Sequence, residues 1–278
     1  MPSFDTPDPI NVTLEFDILS VRITAGKRTD TVVEVRPADA DVEADVKTAA
    51  QTKVSYAGGA LVVKGPKKRS LFGKPGSVDV TIELPAGSEI NGDAPIADFL
   101  CEGLLGDCRL KTSVGRIQVE QAATVRLKTD HGDIRLQRAR GDAEIAGSGR
   151  VEIGAILGAA TVKNLNGETV IGEVGGDLKV NSSNGQVGVG VAGADVDIKS
   201  AHGAIRIGEV VRGQVVLQTA VGDLEIGIRE ASAAWLDVHT RLGSVRNTLA
   251  STEGPGGANE TVEVRGRTQL GDIVIRRS

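Results

Sequence analysis

Aromatic side chains are scarce in this chain of 278 residues, which contains four Phe, one Trp and one Tyr. Proteins that bind single-stranded nucleic acid stack bases on aromatic rings, and carbohydrate sites use such rings as sugar platforms. The formal net charge of −5 is a further argument against a nucleic-acid partner. With 40% hydrophobic residues and so few rings, the core must be built from aliphatic side chains.

Long apolar runs are missing as well. No segment approaches 18 consecutive apolar residues, which a transmembrane helix would need. The opening residues, MPSFDTPDPINVTLEF, have neither the basic nor the apolar region of a secretory signal peptide. The sequence therefore predicts a cytoplasmic protein.

Cysteine is limited to Cys101 and Cys108, seven residues apart. Both positions are predicted to face the core, so in a cytoplasmic chain we expect two buried thiols. A disulfide across the intervening EGLLGD turn stays open as the alternative. Too few further ligands lie nearby for a zinc site.

Glycine, in contrast, is abundant and regularly spaced. Between Cys108 and Gly227 it recurs with gaps of 17, 17, 18, 18, 18 and 19 residues, at Gly115, Gly132, Gly149, Gly167, Gly185, Gly203 and Gly222. Each glycine lies between two alternating apolar segments, as in VRLKTDHGDIRLQ from Val125 and VDIKSAHGAIRIG from Val196. A fixed period of this length indicates a stack of structural repeats.

Within each repeat, apolar residues alternate with period two, which is typical of a strand with one buried face. Two short strands per repeat give four aliphatic columns and one column of small polar residues, namely Thr112, Thr129, Asn164, Ser182, Ser200 and Thr219. Such a polar column can form hydrogen bonds along the stack. The pattern predicts an all-β fold, a parallel β-solenoid with rungs of about 17–19 residues. Tight hairpins at Asn166-Gly167 and Asn184-Gly185 are the weaker alternative.

The chain is predicted to have two parts. Residues 1–95 break the period and form a β domain that we expect to cap the stack with antiparallel strands, with a short helix near 41–51. Residues 96–278 form the solenoid, in which Ile273 and Ile275 are expected to close the last rung after a loop at 251–260. The only Trp, Trp235, is expected to thicken the core of the last rungs rather than to bind a ligand.

Residues that carry metal or catalytic chemistry do not cluster. His131 and His202 are predicted to lie four rungs apart, and His239 faces outward on another rung, so they cannot share a zinc ion. The Gly-Asp pairs at Gly132, Gly222 and Gly271 do not continue as the carboxylate ladder of calcium β-rolls. Carboxylates on the second strand do not occupy adjacent rungs, as a glycosidase-type site would require. We therefore expect no metal, no cofactor and no enzymatic activity.

Outward-facing cations on the first strand of the rungs form a predicted basic column. Its members are Arg109, Lys111, Arg126, Lys128, Lys163, Lys179 and Lys199. Cations on a flat sheet can serve only to keep it soluble and unpaired. The functional alternative is docking of an anionic partner, either an acidic protein face or an anionic lipid surface.

A second candidate surface is the loop KGPKKRSLFGKPG at Lys64–Gly76. Its candidate contact residues are Lys67, Lys68, Arg69, Leu71 and Phe72. A hydrophobic tip beside a basic cluster can engage a membrane surface or a protein partner. The two apolar residues can instead fold back onto the core of the cap.

The glycine-phased rungs, with phrases such as VRLKTDHGDIRL and AIRIGEVVRG, resemble the DUF4097 family of β-strand-repeat proteins, which also carries the label "putative adhesin". SVDVTIELPAGSEI at Ser77–Ile90 and the closing GDIVIRR look like actinobacterial members of that family. The resemblance covers essentially the whole chain. It implies a right-handed β-solenoid, and it brings no established activity and no catalytic residues.

The leading functional hypothesis is a non-enzymatic cytoplasmic β-solenoid that acts as a binding or scaffold module for an anionic partner or a protein complex. Such a module would be monomeric or weakly self-associating. One alternative is a self-assembling structural element whose rungs continue between molecules, as in bactofilin-like filaments. Another is a carbohydrate-binding, adhesin-like surface protein.

Overall fold

A computed structural model of the chain describes residues 1–66, 76–250 and 260–278. Strands dominate it, and the predicted parallel β-solenoid is confirmed. The chain divides into two compact units, Met1–Arg140 (unit 1) and Gly141–Ser278 (unit 2). We describe each unit by itself. No helix in the described ranges is long and apolar enough to cross a lipid bilayer.

The described residues of unit 1 form ten strands and one helix. They are β1 (Ser3–Asp5), β2 (Asn11–Glu15), β3 (Ile18–Gly26), β4 (Asp30–Pro37), α1 (Glu43–Gln51), β5 (Lys53–Ala57), β6 (Ala60–Lys64), β7 (Val78–Pro85), β8 (Glu89–Val114), β9 (Ile117–His131) and β10 (Ile134–Ala139). The helix confirms the expectation for residues 41–51.

The N-terminal strands of unit 1 combine two kinds of pairing. The pairs β1–β4, β4–β7 and β5–β6 are antiparallel, as expected of this part of the chain. In contrast, β2 and β3 pair in parallel with β8, so the solenoid ladder begins within the first 26 residues. Alternation explains this placement, because Val12 and Leu14 of β2 are buried in the same core as Ile90 of β8.

Unit 2 consists of strands alone in its described part. They are β11 (Ala143–Gly147), β12 (Val151–Ile156), β13 (Ala160–Asn166), β14 (Thr169–Val174), β15 (Leu178–Asn184), β16 (Val187–Ala192), β17 (Val196–His202), β18 (Ile205–Val210), β19 (Gly213–Val221), β20 (Leu224–Ile228), β21 (Ser232–Leu242), β22 (Val245–Asn247), β23 (Glu260–Leu270) and β24 (Ile273–Arg277).

The rungs of unit 2 stack in the register that the glycine spacing predicts. On the first wall, Leu178 of β15 lies over Ala160 of β13 and beneath Val196 of β17. On the second wall, Val187 of β16 lies between Thr169 of β14 and Ile205 of β18. All six side chains are buried, so each wall contributes continuous inward columns.

The repeated glycines form the corners between the two walls. Gly203 has φ +142°, and a Cβ there would overlap the carbonyl oxygen of Gly185 in the preceding rung. Because successive rungs approach so closely at this corner, a side chain has no space, which explains the constant phase of the glycines.

The hydrogen bonds of the polar column differ from those that the sequence predicts. Thr219 donates to the carbonyl oxygen of Gly203 at 3.1 Å, and Thr129 donates to that of Gly115 at 3.0 Å. Each threonine therefore bonds to the corner glycine of the preceding rung rather than to the next polar side chain. The buried hydroxyl oxygens of Ser182 and Ser200 have no hydrogen-bond partner among the described residues.

A second glycine column was missed by the sequence analysis. Gly172, Gly190, Gly208 and Gly227 follow each other along the outward face of the second wall, and a Cβ on each would meet the carbonyl oxygen of the glycine below. These positions lie three residues after the start of β14, β16, β18 and β20. They permit close stacking of successive rungs at this position.

The last rungs of unit 2 are not stacked in chain order. Strand β23 pairs with β19 on one side and with β21 on the other, and β24 lies likewise between β20 and β22. The expectation that Ile273 and Ile275 close the last rung is therefore wrong. They belong to the penultimate rung in space, and the outermost rung of unit 2 is formed by β21 and β22.

Candidate functional site

Four of the predicted basic residues form one cluster on the first wall of unit 1. Strands β8 and β9 point Cys108, Leu110, Val125 and Leu127 into the core, so the residues between them face outward. The outward residues Arg109, Lys111, Arg126 and Lys128 are hereafter the cation cluster. In the ladder, Arg109 lies directly opposite Arg126, and Lys111 lies directly opposite Lys128.

Carboxylates at the edges of the cluster offset part of its charge. Arg109 pairs with Asp107, Lys111 approaches Asp93 at 3.3 Å, and Lys128 approaches Asp130 at 3.6 Å. Arg126 also interacts with another group of the protein, so it is not an unpaired cation. The paired lysine and arginine side chains keep about half of their surface exposed. Exposed pairs of this kind contribute little to stability and leave the cations accessible.

The three predicted cations of unit 2 all face outward and are exposed, but they do not share one column. Lys163 and Lys199 lie in the same column, separated by Asn181. Lys179 lies in the adjacent column, between Thr161 and Asp197. Lys199 also approaches Asp197 at 3.7 Å. In this part of the chain the members of the predicted broken basic column are thus distributed over two adjacent columns, and Asp197 partly neutralises them.

The second candidate surface can be placed only in part. Lys67, Lys68, Arg69, Leu71 and Phe72 lie outside the described residues. Lys64, at the start of that segment, ends β6 and pairs with Glu15 of β2.

The two cysteines are free thiols buried in the core of unit 1. A hydrogen bond with Cys101, together with burial, raises the pKa of Cys108 well above its usual range. A thiol that stays protonated and has no access to solvent is a poor nucleophile. The two reduced cysteines therefore contribute to the packing of the core.

Potential metal ligands are dispersed. His131, His202 and His239 are all exposed, and the described ranges contain no group of three or more His, Cys, Asp or Glu side chains that could hold an ion.

The aspartates of the Gly-Asp pairs connect rungs by hydrogen bonds. Asp223 accepts the main-chain N–H of Asp272 at 2.8 Å, and Asp272 in turn accepts that of Ser244 at 2.7 Å. These carboxylates connect successive rungs.

Asp272 gives the outermost rung a pH dependence. The bonds from the main-chain N–H and hydroxyl of Ser244 lower the pKa of Asp272 below its usual 3.8. A lowered folded-state pKa stabilises the fold above the unfolded-state pKa, and this contribution is lost as the pH falls through the folded-state pKa. We expect Asp272→Ala to lower the melting temperature at pH 7 and to have little effect near pH 2.

Thermal unfolding of both proteins over this pH range measures the difference. Glu230→Ala, which removes the same charge from an exposed turn residue, is the matched control and should have no effect at either pH. A deficit of Asp272→Ala that stays constant from pH 7 to pH 2 would contradict this assignment.

The outermost rung carries exposed apolar residues that the sequence analysis did not identify. Trp235 is 56% exposed and faces outward on β21, so its expected place in the core is wrong. Leu242 and Val245 of the same rung are 62% and 47% exposed. The signal was present, because counting back from Gly243 by the rung rule assigns Leu236, Val238 and Thr240 to the inward positions and Trp235 to the outer face.

The chain matches one protein family and is similar in fold to several solved structures. Residues 13–275 match the family model Toastrack DUF4097. No curated protein matches the chain. Three similar solved structures are a "putative lipid binding protein" from Parabacteroides distasonis (12% identity, TM-score 0.40), a "putative adhesin" from Parabacteroides merdae (10%, 0.37) and a "putative adhesin" from Bacteroides fragilis (10%, 0.33). The alignments cover 100%, 100% and 99% of this chain and 95% of each of the other chains.

Proposed function

This chain belongs to the Toastrack DUF4097 family, and on that premise we propose that it is a non-enzymatic binding module whose cation cluster docks on an anionic lipid surface. The proposal rests on one observation, the two like-charge pairs Arg109–Arg126 and Lys111–Lys128 on adjacent strands of an exposed wall. Like charges on adjacent strands, about 4.8 Å apart, repel each other. An anionic ligand that spans both strands removes this cost.

The geometry of the cluster favours a flat ligand. Adjacent strands are about 4.8 Å apart, and alternate residues along one strand are about 7 Å apart. Four cations in such a planar array can meet several lipid headgroups at once. Each cation near an anionic membrane surface contributes about 1 kcal/mol. The net charge of −5 opposes binding in other orientations, so it favours approach by this wall.

The carboxylates of the second wall of unit 2 support a non-enzymatic role. Glu225 lies between two guanidinium groups, 3.7 Å from Arg206 and 3.1 Å from Arg276. A glycosidase requires two carboxylates facing one bond, one of them protonated. A carboxylate held by two arginines is instead a stacking contact between rungs.

We further propose that the protein works in the cytoplasm. The free thiols of Cys101 and Cys108, which hydrogen bond to each other in the core, support this location because neighbouring thiols persist in a reducing compartment. Fractionation of native cells tests it, and recovery of the protein outside the cytoplasmic membrane would contradict it.

Co-sedimentation with vesicles tests the binding proposal. We expect the full chain to bind phosphatidylglycerol-containing vesicles, not pure phosphatidylcholine vesicles, and to be released at 1 M salt, where the Debye length falls to about 3 Å. Replacing Lys111 and Lys128 with Glu should reduce binding at least tenfold, since about 2 kcal/mol of attraction becomes repulsion.

A matched control keeps the net charge equal. Replacing Arg135 and Arg138 with Glu changes the charge of unit 1 by the same amount on the second wall, where both residues are exposed on β10. This variant should bind as the unaltered protein does. Equal losses in the two variants would mean that only net charge matters, and absence of vesicle binding would reject the lipid surface as partner.

A further inference from the structure

Strand β21 is a long free edge. It runs over 11 residues and, among the described strands, is laddered only to β23. Soluble proteins usually protect such an edge with proline, lysine, a bulge or a covering segment. The sequence SAAWLDVHTRL contains no proline, glycine or lysine, and its register with β23 is regular from Ser232 to Thr240. An edge of this length and regularity is suited to pairing with another strand.

The hydrogen-bonding groups at this edge can be assigned. The carbonyl oxygen of Leu242 accepts the N–H of Gly271, so it points toward the neighbouring rung. The ladder is interrupted after Thr240, because Arg241 has no partner in β23, so this orientation does not extend to the residues before it. Nη1 of Arg267 lies 2.7 Å from the carbonyl oxygen of Asp237 and 3.1 Å from that of Gly266 in β23, so both carbonyl oxygens lie between the two strands. Because successive residues of a strand point their main-chain groups to opposite sides, Asp237 faces β23, and Leu236, Val238 and Thr240 present their N–H and C=O groups to the outer edge.

Among the described residues, nothing covers the core at this end of unit 2. Leu236 and Val238 occupy columns whose members Val264, Val215 and Leu217 are buried in the rungs beneath, yet both are partly exposed. A stripe of exposed aliphatic residues adjoins them, formed by the stacked corner residues Val221, Leu270 and Leu242. A partner that continues the ladder would cover these columns together with the edge.

We propose that the partner is a second copy of this chain, paired edge to edge through antiparallel β21 strands about a two-fold axis at Val238. In this register Asp237 lies opposite His239 of the second copy, and Trp235 lies opposite Arg241. The imidazole can donate to the carboxylate, and the guanidinium can stack on the indole. Val238 then meets its own copy in a hydrogen-bonded pair, and Leu236 forms another such pair with Thr240 of the second copy.

The charges of the edge residues favour an axis at Val238 over an axis at either neighbouring residue. A shift of the axis to Asp237 places two carboxylates opposite each other, and a shift to His239 places two imidazoles opposite each other and leaves Trp235 outside the pairing. Like charges directly opposite are destabilising in antiparallel sheets. Only the axis at Val238 gives every charged edge residue a complementary partner. A two-fold interface is closed, so it yields dimers and no filaments.

Cysteine cross-linking tests the contact and its register. Two Val238 residues at the axis would have Cα atoms about 5.5 Å apart, within the disulfide range. In the full chain we expect Val238→Cys to form an intermolecular disulfide under copper–phenanthroline oxidation, giving twice the chain mass of 28.8 kDa. Ala234→Cys is the matched control, because its two copies would lie roughly 27 Å apart. Both variants should melt as the unaltered protein does.

Charge exchange provides an independent test. By sedimentation velocity, the unaltered chain should dimerise, and His239→Asp should weaken the dimer about tenfold because it creates two Asp–Asp oppositions. Combining His239→Asp with Asp237→Lys should restore it. A chain that stays monomeric at 100 µM, equal cross-linking at 234 and 238, or a failed rescue would each overturn the proposal. None of these results depends on lipid binding, so the test is separate from that of the cation cluster.

Discussion

Replacing Val187 with aspartate is expected to destabilise the protein by about 3–5 kcal/mol. Val187 is 1% exposed and lies in the middle of an inward column, between Thr169 and Ile205. A carboxylate there would have no cation within the core, and it would replace aliphatic contacts to both neighbouring rungs. The repeat makes the effect larger than at a chain end, because rungs on both sides lose packing.

Gln186→Asp is the matched control, one residue earlier and on the other face of the strand. Gln186 is exposed, and its side chain accepts a bond from Arg206 at 3.3 Å, a role that a carboxylate can keep. We expect its effect to stay within about 0.5 kcal/mol. Chemical denaturation of the two variants measures both values. Equal midpoints would refute the assignment of inner and outer faces.

Gly203→Ala is expected to cost about 3 kcal/mol or more. Two causes add at this corner: φ is +142°, which L-residues rarely adopt, and a Cβ would overlap the carbonyl oxygen of Gly185. The obstructing atom belongs to the main chain, so it cannot move aside without displacing a rung. Relief would require the corner to open, which would weaken the bond from the N–H of Gly203 to Val221.

Gly188→Ala separates this effect from a general intolerance of alanine. Gly188 lies in β16, and a Cβ there would meet no atom within 4 Å. We expect a neutral change or a gain of about 0.5–1 kcal/mol, since alanine reduces the entropy of the unfolded chain. Thermal or urea unfolding compares the pair. A loss at Gly188 as large as that at Gly203 would show that corner geometry is not the cause.

The fold was predictable because the corner glycines fix the phase of each rung. Once Gly203 is placed, period-two alternation assigns Val196, Ile198 and Ile205 to the core, and the structure buries all three. The same rule found the outward cations, since their neighbours are core residues. The physical constraint behind both successes is steric, because two corners cannot approach closely if either carries a side chain.

The order of the last rungs was not predictable from the same pattern. Val264 lies between Val215 and Leu236, and all three are aliphatic residues at the same inward position. Alternation says which way a residue points, not which rung lies beside it. The offset of Lys179 from Lys163, in contrast, could have been predicted from the glycine phase and was missed. Lys163 lies four residues before Gly167 and Lys179 lies six residues before Gly185, which assigns them to different outward columns.

The place of β23 and β24 inside the stack has a consequence for biosynthesis. A nascent chain grows at about 5–20 residues per second, so the 30 residues from Thr248 to Arg277 take roughly 1.5–6 s to appear. During that interval β21 and β22 exist, whereas the two strands that separate them from β19 and β20 do not. The inward pattern of β21 fits the vacant edge of β19 equally well. A β21 strand that docked on β19 during that interval would have to be displaced before β23 could take its place between them.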